Sequence, residues 1–521
     1  MTDRRYRPFR RVLIANRGEI AVRIIRACRD LGIETVAVFS DPDRDAAHVR
    51  LADARVGLGG ASPADSYLRA EAVVEAALRT GADAIHPGYG FLSERASFAR
   101  TVADAGLAFV GPPAEVIEAL GEKLRARRTA REAGVPVVPG TLEPAAIDRP
   151  DQLDALQAEA ARVGFPLLIK AAAGGGGRGM RRVTTPTELP AALAAGSHEA
   201  SAAFGDGTVY LEREIRPARH IEVQLLGDDS GRVIALGERD CSIQRRHQKL
   251  IEEAPAPGLS REERVGLHDL AVRIGTAAGL RNAATAEFLR DRAGAFHFLE
   301  VNTRLQVEHG VTELVTGLDI VREQFWLAAG RGLSDEALEA ASRAGQPTGH
   351  AIEVRIGAED PARDFVPTPG LVTHWSMPAG PGIRVDTAIE GGERVPPEYD
   401  NLIAKVMAQG PSREGAIERL GRALSETEIA GIQTTLPFHR YVLEQASFRS
   451  GDLSTDWLAD HWNGPREYER ATRVALLAAG LLALEAPASA SHQQAQRGGA
   501  PVGATGWRKA GLEQAVDRWP R

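Results

Sequence analysis

The sequence predicts a mixed α/β and α+β protein. It reads as an N-terminal Rossmann-like parallel sheet, a central region with a mobile glycine-rich lid, and a C-terminal antiparallel sheet with helices. Three observations predict this. Strand and helix patterns alternate through residues 8–120. The strand Leu167–Lys170 runs straight into a glycine-rich stretch, Ala171 to Met180. Beyond Gly349 the chain breaks into short strands between Gly/Pro turns.

Val12-Leu13-Ile14-Ala15 has the continuous apolar character of a buried strand. Ile20, Ile24, Cys28 and Leu31 then recur at helical spacing. Thr35–Phe39 and Ala82–Ile85 are the next strands. Asn16-Arg17-Gly18-Glu19 opens the first helix but is not G-x-G-x-x-G, so a dinucleotide site there is poorly supported. One helix is expected over Pro113–Ala133, carrying Lys123 and stopped by Gly134 and Pro136. Residues 140–160 read as loop and surface helix. Further strands are expected at Thr208–Leu211, His220–Leu226, Val233–Leu236, Ala283–Leu289 and Phe296–Val301. A third unit, Gly349 to Trp462, holds Ala351–Ile356, Leu371–Trp375 and Leu402–Met407. Then come a helix (Tyr468–Leu484), a linker-like stretch (Pro487–Thr505) and a segment, Gly506–Arg521, with Trp507 and Trp519. That segment reads equally as a frayed tail or a docking peptide.

With 521 residues the chain exceeds one core and predicts two to four domains. The expected divisions are residues 8–120, 121–330 (lid about 138–210), 345–462 and 463–521. A net charge of −7 opposes wholesale nucleic-acid binding. Cys28 and Cys241 are the only cysteines, which predicts a disulfide-free cytoplasmic protein. The N-terminus lacks the apolar stretch of a signal peptide. The most apolar segment, Val474–Leu484, is shorter than the roughly 20 residues that span a bilayer, so no membrane partner is expected.

Lysine is rare here: Lys123, Lys170, Lys249, Lys405 and Lys509 are the only five among 63 basic residues. Each marks a place where a compact ammonium is needed instead of a rigid fork. Lys170 before a glycine hinge points to polyphosphate binding under a lid, hence to an ATP-using enzyme. The pattern is not a P-loop. Glu287 and Glu300 lie on neighbouring strands that a turn near Arg292-Ala293-Gly294 folds into a hairpin. Period-two alternation puts Phe296, Phe298, Glu300 and Asn302 on one face, with Glu287 nearly opposite Glu300. Two carboxylates and an amide oxygen make a hard site for Mg²⁺ or Mn²⁺; a solvated acidic face is the alternative. Arg304 offers a fork for a small oxyanion, and Glu308 is a candidate general base. Either could instead be a surface ion pair. Arg239 to Lys249 could be a basic loop suited to phosphate or an anionic co-substrate.

Together these segments closely resemble the biotin carboxylase family of the ATP-grasp superfamily, from Arg11 to about Trp462. The resemblance rests on Ile14–Ala21, His86-Pro87-Gly88-Tyr89-Gly90-Phe91-Leu92-Ser93-Glu94, the glycine hinge, Glu238–Ser242, Gln244–Lys249, Glu252–Pro255, Glu300–Arg304, Gly349–Glu353 with Arg355, and Tyr399-Asp400. It implies a pre-ATP-grasp domain followed by an ATP-grasp domain. It also implies that bicarbonate attacks ATP to give carboxyphosphate, which then carboxylates biotin. By position Lys123, Lys170, Gly174, Gly175, Gly176, Gly177, His220, Gln244 and His247 resemble nucleotide contacts, with Glu212 and Ile215 beside the adenine. Glu287, Glu300 and Asn302 match the metal positions. Lys249, Arg304, Gln306 and Val307 match the bicarbonate pocket, Glu308 the base, and Arg355 the group that stabilises the biotin enolate. Gly310 stands where proline is frequent in the family. None of Met1, Met180, Met377 and Met407 adjoins a lysine, so the family's Ala-Met-Lys-Met biotin signal is missing. Biotin is therefore expected on a separate carrier protein, with a separate carboxyltransferase subunit. The family also implies a homodimer, and an acetyl-CoA or other acyl-CoA carboxylase as the whole complex.

Overall fold

The structure, a computed structural model, describes residues 7–172 and 180–485. The described residues fall into two units, one ending at Trp462 and the other beginning at Asn463.

The first sheet of the larger unit holds β1 (Arg11–Ile14), β2 (Glu34–Phe39), β3 (Ala54–Gly57), β4 (Ala84–His86) and β5 (Ala108–Phe109). All pairings are parallel, in the order β3-β2-β1-β4-β5. Val12, Leu13 and Ile14 are fully buried, as suits a central strand covered on both faces. The order reverses between β1 and β4, which opens a crevice beyond their C-terminal ends. Asn16 lies there and donates from Nδ2 to the carbonyls of Pro87 and Tyr89, at 2.7 and 2.8 Å. Sequence reasoning did not place β3 and β5; β3 alternates and β5 has two residues.

The single helix expected over Pro113–Ala133 is two, Ala114–Gly121 and Lys123–Glu132. Glu122 between them is extended (φ −81°, ψ 114°). The break puts Lys123 in the first turn of the second helix.

A small antiparallel sheet follows: β6 (Leu167–Ala171), β7 (Arg181–Val183) and β8 (Val209–Arg213), in the order β7-β6-β8. Helices Pro150–Val163 and Leu189–Phe204 supply Leu156, Ala160, Leu189 and Leu193 to its core, against Leu167, Ile169 and Val209. The expected hinge glycines, Gly174 to Gly177, lie outside the described residues.

The large sheet contains β9 (Arg219–Gly227), β10 (Val233–Arg245), β11 (Gln248–Ala254), β12 (Asn282–Arg290), β13 (Phe296–Asn302), β14 (His350–Gly357), β15 (Ile383–Thr387) and β16 (Leu402–Gly410). It is antiparallel throughout, in the order β13-β12-β9-β10-β11-β14-β16-β15. The strands of the third region thus continue the central sheet without a gap. The strand expected at Leu371–Trp375 is two short pairings, Gly370–Leu371 and His374–Ser376. Gly310 has a packing reason. A Cβ there would sit 2.4 Å from Met407 Sδ, so the β16 methionine occupies that space.

The second unit contains one described helix, Gly464–Glu485, longer than expected at its N-terminus, with Val474, Leu476, Leu477 and Leu481 exposed. The linker-like stretch and the Trp507/Trp519 segment lie outside the described residues. Among those described, no helix is long and apolar enough to cross a membrane.

Candidate functional site

One cavity of about 1060 Å³ opens between the small β6–β8 sheet, the large antiparallel sheet and the crevice at β1 and β4. Its walls include Lys123, Lys170, Glu212, Ile215, His220, Gln244, His247, Lys249, Glu287, Glu300, Asn302, Arg304, Gln306, Val307 and Arg355. Glu308 stands just behind, fully buried, and is ion-paired to two of them.

The β12–β13 register pairs Glu287 with Glu300, and β9 places Glu222 opposite Glu287. Three carboxylates therefore share one rung. Facing acids repel unless cations sit between them. Lys123 Nζ lies 2.9 Å from Glu300. Lys249 Nζ lies 2.9 Å from Glu287 and also contacts Glu222, while His220 Nε2 is 3.1 Å from Glu287. Asn302 Nδ2 donates to Glu287 at 2.8 Å. Burial pushes the Glu287 carboxyl up, but Lys249 and His220 outweigh it and hold it far below the usual range. The rung is thus an anionic oxygen set neutralised by cations, and this donor chemistry fits a hard divalent ion. His220, Glu222 and Glu287 also bring ligand atoms within 4.8 Å of one another.

The single face expected for Phe296, Phe298, Glu300 and Asn302 does not form. A β-bulge shifts the register between Glu287 and Phe288, which faces Phe298. Phe298 and Val301 turn into the core, where Phe298 meets Phe288 edge-on at 5.9 Å. Leu299 and Glu300 both line the cavity.

Lys249 is the hub. Its ammonium contacts Glu222, Glu287 and, at 2.7 Å, Glu308. Burial lowers the Lys249 pKa, but the three acids outweigh it and hold it well above the ordinary range. Glu308 is the reverse case. Burial raises it, while Lys249, Arg355 and Arg239 bring it well below the carboxylate range. In this arrangement Glu308 is an anion and a weak proton acceptor. Arg355 bridges Glu252, through Nε at 2.5 Å, and Glu308, at 2.9 Å. Glu252 is pushed up to about 7 by burial, which Arg355 opposes and Glu308 reinforces. Arg304 does not present a free fork. It holds Glu94 at 2.8 Å and Gln306 Oε1 at 2.9 Å.

At the far end Lys170 and the buried Arg127 both grip Glu212. Burial raises Glu212, and the two cations more than reverse it. The Arg239–Lys249 segment is a hairpin, not a loop: β10 runs to Arg245 and β11 starts at Gln248. Its two-residue turn places Arg246 and His247 at φ of 48° and 67°, where side chains are disfavoured.

Sequence reasoning assigned no role to Glu222, Glu252 or Glu94, and it marked Lys405 only as a rare lysine. Arg239, read with the basic segment as suited to phosphate, is instead fully buried against Glu222, Gln224 and Thr312. Glu222 carried a signal, since Glu222 and Gln224 alternate with Ile221, Val223 and Leu225 in the strand. Glu252 and Glu94 sit inside the quoted motifs, with nothing local to show what they hold.

Three family models match. Biotin carboxylase, N-terminal domain covers residues 8–117. Carbamoyl-phosphate synthase L chain, ATP binding domain covers 122–336. Biotin carboxylase C-terminal domain covers 353–460. The chain is 48% identical over 448 residues to biotin carboxylase of Haemophilus influenzae, spanning 86% of this chain and 98% of that one. It is 45% identical over 456 residues to a pyruvate carboxylase subunit of Methanothermobacter thermautotrophicus, 88% of this chain and 91% of that one. A solved relative is the biotin carboxylase domain dimer of Hydrogenobacter thermophilus 2-oxoglutarate carboxylase, in complex with MgADP, ADP and bicarbonate. It superposes with a TM-score of 0.83 at 44% identity, over 88% of this chain and 98% of that one.

Proposed function

We propose that this chain, which belongs to the biotin carboxylase family, uses its cavity to carboxylate biotin with ATP and bicarbonate. The observation that carries the reading is the convergence on one cavity of a carboxylate rung and the cations Lys123, Lys170, Lys249, Arg304 and Arg355, with Glu308 behind them. Lys123, Lys170, His220, Gln244 and His247 hold the nucleotide, with Glu212 and Ile215 at the adenine. Glu287, Glu300 and Asn302 would hold Mg²⁺ or Mn²⁺, which when bound offsets charge on the phosphates. Lys123 and Lys249 neutralise these acids here, and with a metal held there their ammoniums would be available to phosphate and bicarbonate.

Bicarbonate sits at Lys249, Arg304, Gln306 and the Val307 backbone. Glu308 takes its proton. The cations that depress Glu308 also depress the bound acid, so the transfer does not demand a strongly basic carboxylate. The deprotonated oxygen attacks the γ-phosphorus, the bond to the β-γ bridging oxygen breaks, and ADP leaves with that electron pair. The product is carboxyphosphate, which survives only where water is excluded. Arg355, held on the cavity wall by Glu308 and Glu252, stabilises the enolate form of biotin.

No Met–Lys pair occurs in the sequence, so biotin is presented from outside it. We place it on a carrier protein that also serves a carboxyltransferase, with this chain dimeric in a cytoplasmic acetyl-CoA or other acyl-CoA carboxylase. ADP release tests the reading. It should require bicarbonate and rise with free biotin; release that is indifferent to both refutes it.

A further inference from the structure

Four lysines lie among the described residues, and three line the cavity. The fourth, Lys405, is fully buried on β16, in a chain that otherwise favours arginine. We infer that Lys405 is a positioning residue whose buried ammonium fixes the Gln306–Glu308 segment and ties it to the N-terminal sheet. The inference rests on the bicarbonate reading of that segment.

The sheet register puts Arg355, Lys405 and Asp386 on one rung of β14, β16 and β15. Two cations directly opposite each other repel. They are kept together because each grips a different part of one short stretch of chain. Arg355 donates to the Glu308 carboxylate at 2.9 Å. Lys405 Nζ donates to the Val307 carbonyl at 2.7 Å. The Val307 carbonyl and the Glu308 amide belong to one planar peptide, so a fixed oxygen fixes where Glu308 begins. The rung therefore clamps Glu308 from both ends, backbone through Lys405 and carboxylate through Arg355.

A buried ammonium persists only when paired. Glu19 lies 3.3 Å and Asp386 3.7 Å from Lys405 Nζ. Burial lowers the Lys405 pKa, and Glu19, Glu353 and Asp386 outweigh it, so the charge stays on. Glu19 is in the first turn of the helix Gly18–Asp30, directly after β1, and accepts a short hydrogen bond from the Tyr89 hydroxyl beyond β4. The crevice of the first sheet thus reaches the anion-binding segment through two side chains. A guanidinium would be too large and too planar to replace the ammonium between a carbonyl and two acids.

The test compares Lys405→Met with wild type in steady-state ADP release and in hydrogen exchange. Losing one charge-assisted hydrogen bond should raise the KM for bicarbonate at least about tenfold and leave the KM for ATP within about twofold. Amides of residues 304–310 should exchange faster in the variant, with the rest of β14 and β16 unchanged. An unchanged bicarbonate KM, or KM values that all rise together with exchange quickening across the whole sheet, overturns the inference. If Lys405→Met does not fold, Asp386→Asn decides. It should give the same selectivity with a smaller rise, and a rise without selectivity overturns the inference. Wild-type protein lacking bicarbonate-dependent ADP release would refute the functional reading instead, and the exchange measurement would still decide the positioning.

Discussion

Two hairpins build much of the candidate site, and they follow opposite local rules. The β12–β13 hairpin turns at Asp291–Gly294, with Gly294 at φ 88° and the Ala295 amide bonded to Asp291. Those are the residues such a turn favours. The β10–β11 hairpin turns on Arg246 and His247, both in the left-handed region without a glycine. Its backbone conformation is disfavoured by of order 1 kcal/mol per residue. The first hairpin brings the facing acids; the second brings Gln244, His247, Lys249 and Glu252. Where a turn obeys local preference, its sequence announces it. Where a turn holds a functional side chain at a cost in backbone energy, the sequence reads as a loop.

The largest effect should come from the second hairpin. Lys249→Met leaves Glu222, Glu287 and Glu308 facing one another without their shared cation. ADP release at saturating bicarbonate should fall at least about 10³-fold, as when a buried pair is broken. A fall of less than tenfold would mean that the two hairpins do not depend on this ion.

Next, Glu287→Gln on the first hairpin should raise the Mg²⁺ concentration for half-maximal turnover by about 10–100-fold, the effect of losing a charged ligand. A magnesium titration matching wild type would remove Glu287 from the metal set.

Glu252 supplies a pH test. Its folded pKa, about 7, lies above the ordinary 4.5. An acid shifted upward contributes stability that is full below 4.5 and is lost as pH rises through 7. Glu252→Gln removes that loss. Its stability relative to wild type in urea melts should therefore climb between pH 4.5 and 7, by up to about 3 kcal/mol. A flat difference would contradict the assignment.

The smallest effect bears most directly on the contrast. Replacing Arg246-His247 by Asn-Gly should stabilise the protein by about 1–2 kcal/mol while weakening nucleotide binding. Lower stability in the double variant would show that the turn carries no strain.

Much of the architecture was legible. β1 and β2 were found as continuous apolar runs, and strand period and turn length brought Glu287 near Glu300, with the bulge supplying the last step that pairs them. The bulge at Leu299 was not legible, because one extra residue resets the alternation without changing composition. The break at Glu122 was hidden because its flanks both form good helix. The site's cations were found as rare lysines, but their partners were not. Glu94 reaches Arg304 across 210 positions, and Glu19 reaches Lys405 across a longer stretch still. Such pairings exist only once the sheets are assembled.

The central claim is that bicarbonate, not water, attacks ATP in this cavity. Turnover of ¹⁸O-labelled bicarbonate with ATP and biotin measures it most directly. The account predicts that the released phosphate carries one labelled oxygen, left when carboxyphosphate gives up its carboxyl group. Phosphate with no label from bicarbonate would contradict it.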